Sequence, residues 1–167
     1  MIHTARVRTL EKMDAAALLA FELANRTWFE RHIDARAPAF YSVPGVTEHI
    51  AAYLAEFNAG IWHPFVIASA DGGIVGRANL KTIDMTTRSA EIGYRIAQSA
   101  CGQGLATFAV KHLIHEAKAR WNLKQLVAYV YAENIGSVKV LERCGFIGEL
   151  GARSGSDVDD YRFSLHI

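Results

Sequence analysis

Apolar and polar positions along the chain alternate between two periods, and the switches between them mark out the elements. "HTARVRTL" (3–10) alternates at period two and predicts a strand, and "EKMDAAALLAFELANR" (11–26) has the alanine and leucine content of a helix. "WFERHIDARAPAFYSVPG" (28–45) breaks the period at Pro38 and Pro44. Helical spacing resumes in "VTEHIAAYLAEFNAG" (46–60) through Ile50, Tyr53, Leu54 and Phe57, with a stop at Gly60. "HPFVIAS" and "IVGRANLKTI" flank the turn "ADGG" and predict a hairpin, with "SAEIGYRI" (89–96) as the next strand. From Gly104 to Arg120, Ala106, Ala109, Val110, Leu113, Ile114 and Ala117 recur at helical spacing and leave Lys111, Glu116 and Lys118 for solvent. "KQLVAYVYAEN" (124–134) predicts a strand, "IGSVKVLERC" (135–144) a short helix stopped at Gly145, and "FIGELG" with "DYRFSLHI" two closing strands around a polar loop.

The resulting order, β-α-α-β-β-β-α-β-α-β-β, describes one α/β domain over residues 1–167. Its mixed sheet is mostly antiparallel, parallel only across the helical crossovers, and flanked by helices. At 167 residues the chain is long enough to bury a core without staples. A net charge of +1 provides no general attraction to nucleic acid or to a membrane surface. Cys101 and Cys144 match no zinc or redox spacing and are expected as reduced thiols. The N-terminal stretch lacks an apolar core and no segment approaches ~18 consecutive apolar residues, so a cytoplasmic location is expected.

Candidate chemistry begins at "CGQGLAT" (101–107), where Gly102 and Gly104 open the long helix. Glycine here costs helix stability, so its placement fits a backbone that must approach a ligand closely. The unpaired N–H groups of a helix N-terminus make an anion site. A turn in which glycine merely supplies positive φ is the alternative. No Lys-Ser or Lys-Thr pair follows the glycines, as a Walker A loop requires, and the third glycine of a dinucleotide fingerprint is missing.

Two further stretches sharpen the picture. Gly104 and Ala106 fill the last two fixed positions of a Gln/Arg-x-x-Gly-x-Gly/Ala loop, with Cys101 where Gln or Arg is expected, and "NIGSVKVLERCGF" runs from Asn134 through Ser137 to Gly145 and Phe146. On these motifs, with "AEIGYRI" and "NRTWFERHIDARAPAFY", the chain resembles the GNAT superfamily of N-acetyltransferases, in the branch of the ribosomal-protein-alanine N-acetyltransferases. The resemblance covers nearly the whole chain. It implies acetyl-CoA as co-substrate, held by Tyr94, Arg95, Ile96, Cys101, Gly102, Gln103, Gly104, Leu105, Ala106, Thr107, Asn134 and Ser137. It also implies that the "IGYRI" strand splays from its neighbour to free an N–H donor at Tyr94 or Arg95. The acceptor it implies is a primary amine: a protein or peptide N-terminus, or a small amine. The family's proton-donating Tyr, seven residues after the motif Asn, is Leu141 here.

Acetyl transfer to an amine needs a proton acceptor, an oxyanion donor and a proton for the departing thiolate. Glu91, just before the loop, is the candidate base; its alternative role is a sheet carboxylate facing solvent or paired with Arg77 or Arg88. Ser137 is the candidate at the sulfur, although water can protonate a leaving thiolate unaided. Asn134 suits both a helix N-cap and a pantetheine contact. Trp28, Arg31 and Tyr41, in the broken segment between the first two helices, are acceptor-site candidates with Glu91. His112, His115 and Glu116 lack a zinc spacing and no metal is expected. Intact Glu91 and paired motifs favour an N-acetyltransferase, monomeric or homodimeric. Cys101 and Leu141 favour the rival, a coenzyme A-binding or sensing module without turnover.

Overall fold

Every position of the His63–Ala68 strand is buried, which requires cover on both faces of the sheet. A computed structural model of the chain describes residues 4–150 and 160–167; the polar loop expected before the last strand lies outside the described residues. The elements are β1 (Arg6–Thr9), α1 (Ala15–Phe29), α2 (Val43–Asn58), β2 (His63–Ala68), β3 (Ile74–Asp84), β4 (Ser89–Ile96), α3 (Leu105–Ala119), β5 (Gln125–Tyr131), α4 (Ile135–Arg143), β6 (Ile147–Leu150) and β7 (Asp160–His166). They follow the order expected from the sequence. Seven strands form one sheet in the order β1-β2-β3-β4-β5-β7-β6, antiparallel throughout except for the β4–β5 pair. Helices α1 and α2 cover one face, reaching Arg77 through Glu22 and His49, and α3 covers the other, where His112 meets Phe65 edge-on at 5.1 Å.

Two helix starts differ from the expectation, each for a local reason. Residues Lys12–Asp14 form a 3₁₀ turn, and α1 begins only at Ala15. The buried Asp14 carboxylate receives both Arg8 guanidinium nitrogens at 2.9 and 2.7 Å and the Glu11 N–H at 2.8 Å, which fixes that turn. Helix α2 starts at Val43, and Pro44 lies inside its first turn, where a missing N–H costs nothing. Ser42 caps it by accepting the Gly45 N–H at 3.1 Å.

The β4–β5 junction matters most for the site. Ser89, Ala90 and Glu91 pair with Gln125, Leu126 and Val127, and pairing then stops. Strand β4 continues against β3 as far as Ile96, while β5 continues against β7 as far as Tyr131. Residues 92–96 therefore have a paired edge toward β3 and an open edge toward β5.

His63, 1 % exposed, is stacked between Phe57 and Phe65 at 4.3 and 4.0 Å. Its Nδ1 accepts the Trp121 indole N–H at 3.0 Å, and its Nε2 lies 2.9 Å from the Thr9 hydroxyl. Burial, aided by Arg120, pushes its pKa from 6.5 down to about 3. The native state thus keeps this imidazole neutral where the unfolded chain protonates it, so acidification below about 6.5 destabilises the fold. Urea midpoints measured from pH 7 to pH 5 should fall, and a His63→Gln variant should show a smaller fall over the same range.

Candidate active site

On the α1/α2 face of β3 and β4, three cross-strand pairs stand in register: Lys81 opposite Glu91, Asn79 opposite Gly93, and Arg77 opposite Arg95. Polar residues on the inner face of central strands mean that this face lines an opening rather than a packed core. The opening is a cleft of about 830 Å³ that reaches from Trp28, Tyr53 and Trp62 to β5 and α4. Glu91 holds its Oε1 3.8 Å from Lys81 Nζ, and Trp62 donates its indole N–H to Asn79 Oδ1 at 3.1 Å. Gly93 leaves a gap in this row. A Cβ there would come within 2.6 Å of Lys81 Cε, so a side chain at 93 would displace Lys81.

Below the row lies a buried charge cluster. Glu22 of α1, 1 % exposed, accepts from Arg77 at 3.0 Å and stands 3.6 Å from both Arg36 and Arg95. His49 Nε2 accepts from Arg77 at 2.9 Å, and burial together with the surrounding arginines holds that imidazole at about 3, hence neutral. Burial also lowers the Arg77 pKa and brings Arg95 down to about 10, while Glu22 opposes both shifts.

The other end of the cleft is built from the α3 entry and from α4. Gly104 is the N-cap of α3 at φ +78°, and Gly102 sits at φ +79°, where an added Cβ would meet nothing within 4 Å. Phe108 N–H to the Gly104 carbonyl, at 3.0 Å, is the first α-helical bond. The N–H groups of Leu105, Ala106 and Thr107 precede it, and the buried Thr107 Oγ1 has no partner among the described residues. Open space, unpaired N–H groups and the positive end of a helix dipole suit a phosphate. On α4, Asn134 Oδ1 accepts the Ser137 N–H at 3.3 Å, so its amide NH₂ remains to donate. Tyr94 turns to this side. Its hydroxyl donates to the Ser137 carbonyl over a long 3.5 Å, and burial pushes its pKa up to about 12.

A family model of the acetyltransferase (GNAT) domain matches residues 5–147. The chain belongs to the GNAT family. Among its relatives is the probable N-acetyltransferase YjcK of Bacillus subtilis, 30% identical over 158 residues, which span 93% of this chain and 87% of that one. The ribosomal-protein-S5-alanine acetyltransferase of Vibrio fischeri superposes with a TM-score of 0.92 at 21% identity, covering 99% of this chain and 94% of that one. Mycobacterium smegmatis RimJ, solved in complex with a CoA disulfide, superposes with a TM-score of 0.86 at 27% identity, covering 97% and 81%.

Within this GNAT domain the cleft gathers Trp28, Glu91, Tyr94, Arg95, Ile96, Cys101, Ala106, Asn134 and Ser137 from the residues singled out in the sequence. Gly102, Gln103 and Gly104 are exposed beside it, leading into Leu105 and Thr107 of the first α3 turn. Arg31 and Tyr41 do not line it. Arg31 is exposed, 5.4 Å over the Trp28 ring, and Tyr41 is covered by Arg26 at 4.1 Å. Glu91 pairs with Lys81 rather than with Arg77 or Arg88; Arg77 is taken by Glu22, and Arg88 Nε bonds the Asn122 carbonyl at 2.8 Å. Leu141 is fully buried at the cleft floor and offers no donor. His112 is half-buried against Phe65, 3.9 Å from Glu116. Both cysteines are free, no three metal-ligating side chains converge among the described residues, and no described helix is long and apolar enough to cross a membrane.

The sequence reading missed Arg36, Arg77, Asn79, Lys81, Tyr53 and Trp62 as wall residues. The alternation in "GRANLK" carried a usable signal, since polar residues at period two on an internal strand need an opening to face. Glu22→Gln removes the one carboxylate shared by three arginines and should destabilise the fold by about 3 kcal/mol. Urea denaturation measures this; a loss below about 1 kcal/mol would show that the arginines need no internal counter-charge.

Proposed function

We propose that this chain transfers the acetyl group of acetyl-CoA to the N-terminal α-amine of a peptide or protein, by direct attack on the thioester. The open β4 edge at residues 92–96, with Glu91 on the same strand and the glycine-opened α3 at its far end, is the observation that carries the reading. The pyrophosphate fits the N–H groups of residues 102–107, and pantetheine fits the gap between β4 and β5, with the Asn134 amide donating to it. An N–H of Tyr94 or Arg95 on the open edge stabilises the oxyanion of the tetrahedral intermediate.

The amine nitrogen forms the new C–N bond, its proton passes to Glu91 directly or through water, and collapse of the intermediate breaks the C–S bond. Ser137 orients the sulfur and water returns the proton to the thiolate, a fair leaving group with a thiol pKa near ~8.5. Leu141 gives no phenol for that last step. An α-amine suits this site because its pKa of ~7.7 to 8.0, against ~10.4 for lysine, leaves far more of it neutral and asks less of the base.

In a thiol-release assay with acetyl-CoA, short peptides with a free N-terminal Ala or Ser should turn over, and the same peptides blocked at the N-terminus but carrying Lys should not. Turnover of small amines alone would remove the peptide assignment. Binding of acetyl-CoA without turnover of any amine would establish the sensing module instead. Glu91→Gln should lower kcat on the order of 10²-fold while leaving acetyl-CoA binding intact. The deficit should shrink as pH rises and more amine is neutral unaided; a pH-independent deficit points to positioning rather than proton transfer.

A further inference from the structure

The charge cluster under the cleft does not balance. Three guanidinium groups, from Arg36 in the α1–α2 connection, Arg77 on β3 and Arg95 on β4, share the single carboxylate of Glu22, and His49 beside them is neutral. The cluster therefore holds an excess of two positive charges around a buried carboxylate, with Arg77 buried and Arg36 and Arg95 partly exposed at the cleft. Uncompensated buried charge is expensive, and proteins seldom keep it without a counter-ion. Glu22 is the carboxylate of every ion pair these arginines make among the described residues, and Glu91, on the same strand face, stands against Lys81.

The donors are also unspent. Among the described residues Arg36 Nε and Arg77 Nε are buried with no hydrogen-bond partner, Arg95 Nη1 has only its 3.6 Å ion pair with Glu22, and Arg77 is only 2 % exposed. All three arginines line the cleft, and the Arg36 and Arg95 side chains, 21 % and 26 % exposed, open toward it. Orphaned donors of a buried guanidinium are costly, and guanidinium groups gathered along one cleft suit a planar or tetrahedral oxyanion.

We propose that Arg36, Arg77 and Arg95 form a subsite for an anionic group, a carboxylate or a phosphate, carried by the acceptor amine. The inference rests on the N-acetyltransferase reading and narrows its substrate class. The position assigns the anion to the acceptor rather than to acetyl-CoA. The cluster lies on the α1/α2 face of the sheet, whereas the phosphate-suited α3 entry belongs to the opposite face. Arg95 follows Glu91 by four residues on one strand face, about 13 Å along the strand, with only Gly93 between them. An acceptor with its amine at Glu91 thus lies across Gly93 and reaches the arginines with a group several bonds from the amine. Polycationic amines are disfavoured by the same charge.

The test compares matched acceptors with the intact protein and acetyl-CoA. Ser-Ala-Asp amide is set against Ser-Ala-Asn amide, and Ser-Ala-phosphoserine amide against Ser-Ala-Ser amide, so that the anion stands two residues from the amine, with spermidine as the cationic control. The acidic member of at least one pair should show a kcat/KM about 10-fold or more above its neutral partner, and the pair that responds identifies carboxylate or phosphate as the anion. Arg36→Gln should abolish that advantage through KM for the acceptor, with KM for acetyl-CoA unchanged; where that variant folds poorly, Arg95→Gln is read on the ratio of acidic to neutral acceptor alone, because its backbone also lies on the proposed acetyl-CoA edge. Equal kcat/KM within both pairs, an advantage that survives loss of Arg36 or Arg95, or preferred turnover of spermidine overturns the subsite. If acetyl-CoA produces no melting shift and no acceptor turns over, the acetyltransferase reading fails, and the subsite fails with it.

Discussion

Three residue pairs hold β4 to β5, and the geometry of the cleft depends on their ending at Glu91 and Val127. Up to that point the sheet is continuous and its backbone groups are satisfied. Beyond it, β4 keeps its partner on one side only, because β5 follows β7 away. Unpaired strand N–H groups are a liability in a closed core and an asset beside a reactive carbonyl, where donors already in position cost no reorganisation. The same parting of strands opens the route that leads from the α3 entry, past Asn134, to Glu91.

The cleft wall on the α1/α2 face is an electrostatic compromise. Glu22 makes it possible to bring Arg36, Arg77 and Arg95 together, and one carboxylate does not neutralise three guanidinium groups. His49 contributes by accepting from Arg77 while staying neutral, so it satisfies one donor without adding charge. Stability and recognition are coupled here, since the residual positive potential that burdens the empty fold is also what would draw an acidic acceptor into the cleft.

Much of this fold was legible because its strands and helices have clean periods. "HPFVIA" and "SAEIGYRI" declare strands, the α3 stripe declares a helix, and the two glycines at its entry take the positive φ that their placement implied. The helix starts were harder. Pro44 reads as a breaker until the Ser42 cap places it in a first turn, and the delayed start of α1 depends on Arg8 reaching across to Asp14. The charge cluster was out of reach for another reason. Its members come from α1, the following connection, β3 and β4, and only the folded sheet sets Arg77 opposite Arg95 over Glu22. Arg31 and Tyr41 illustrate the converse, being near Trp28 or Phe40 in sequence yet turned from the cleft.

The proposed acetyl transfer requires the open edge of β4 to receive the thioester. Amide hydrogen exchange resolved along residues 92–96, with and without acetyl-CoA, measures this directly. In the free protein the amides facing β5 should exchange faster than those paired with β3, and acetyl-CoA should protect them together with residues 102–107. Protection at residues 102–107 with no change along 92–96, or no protection at either segment under saturating acetyl-CoA, would contradict it.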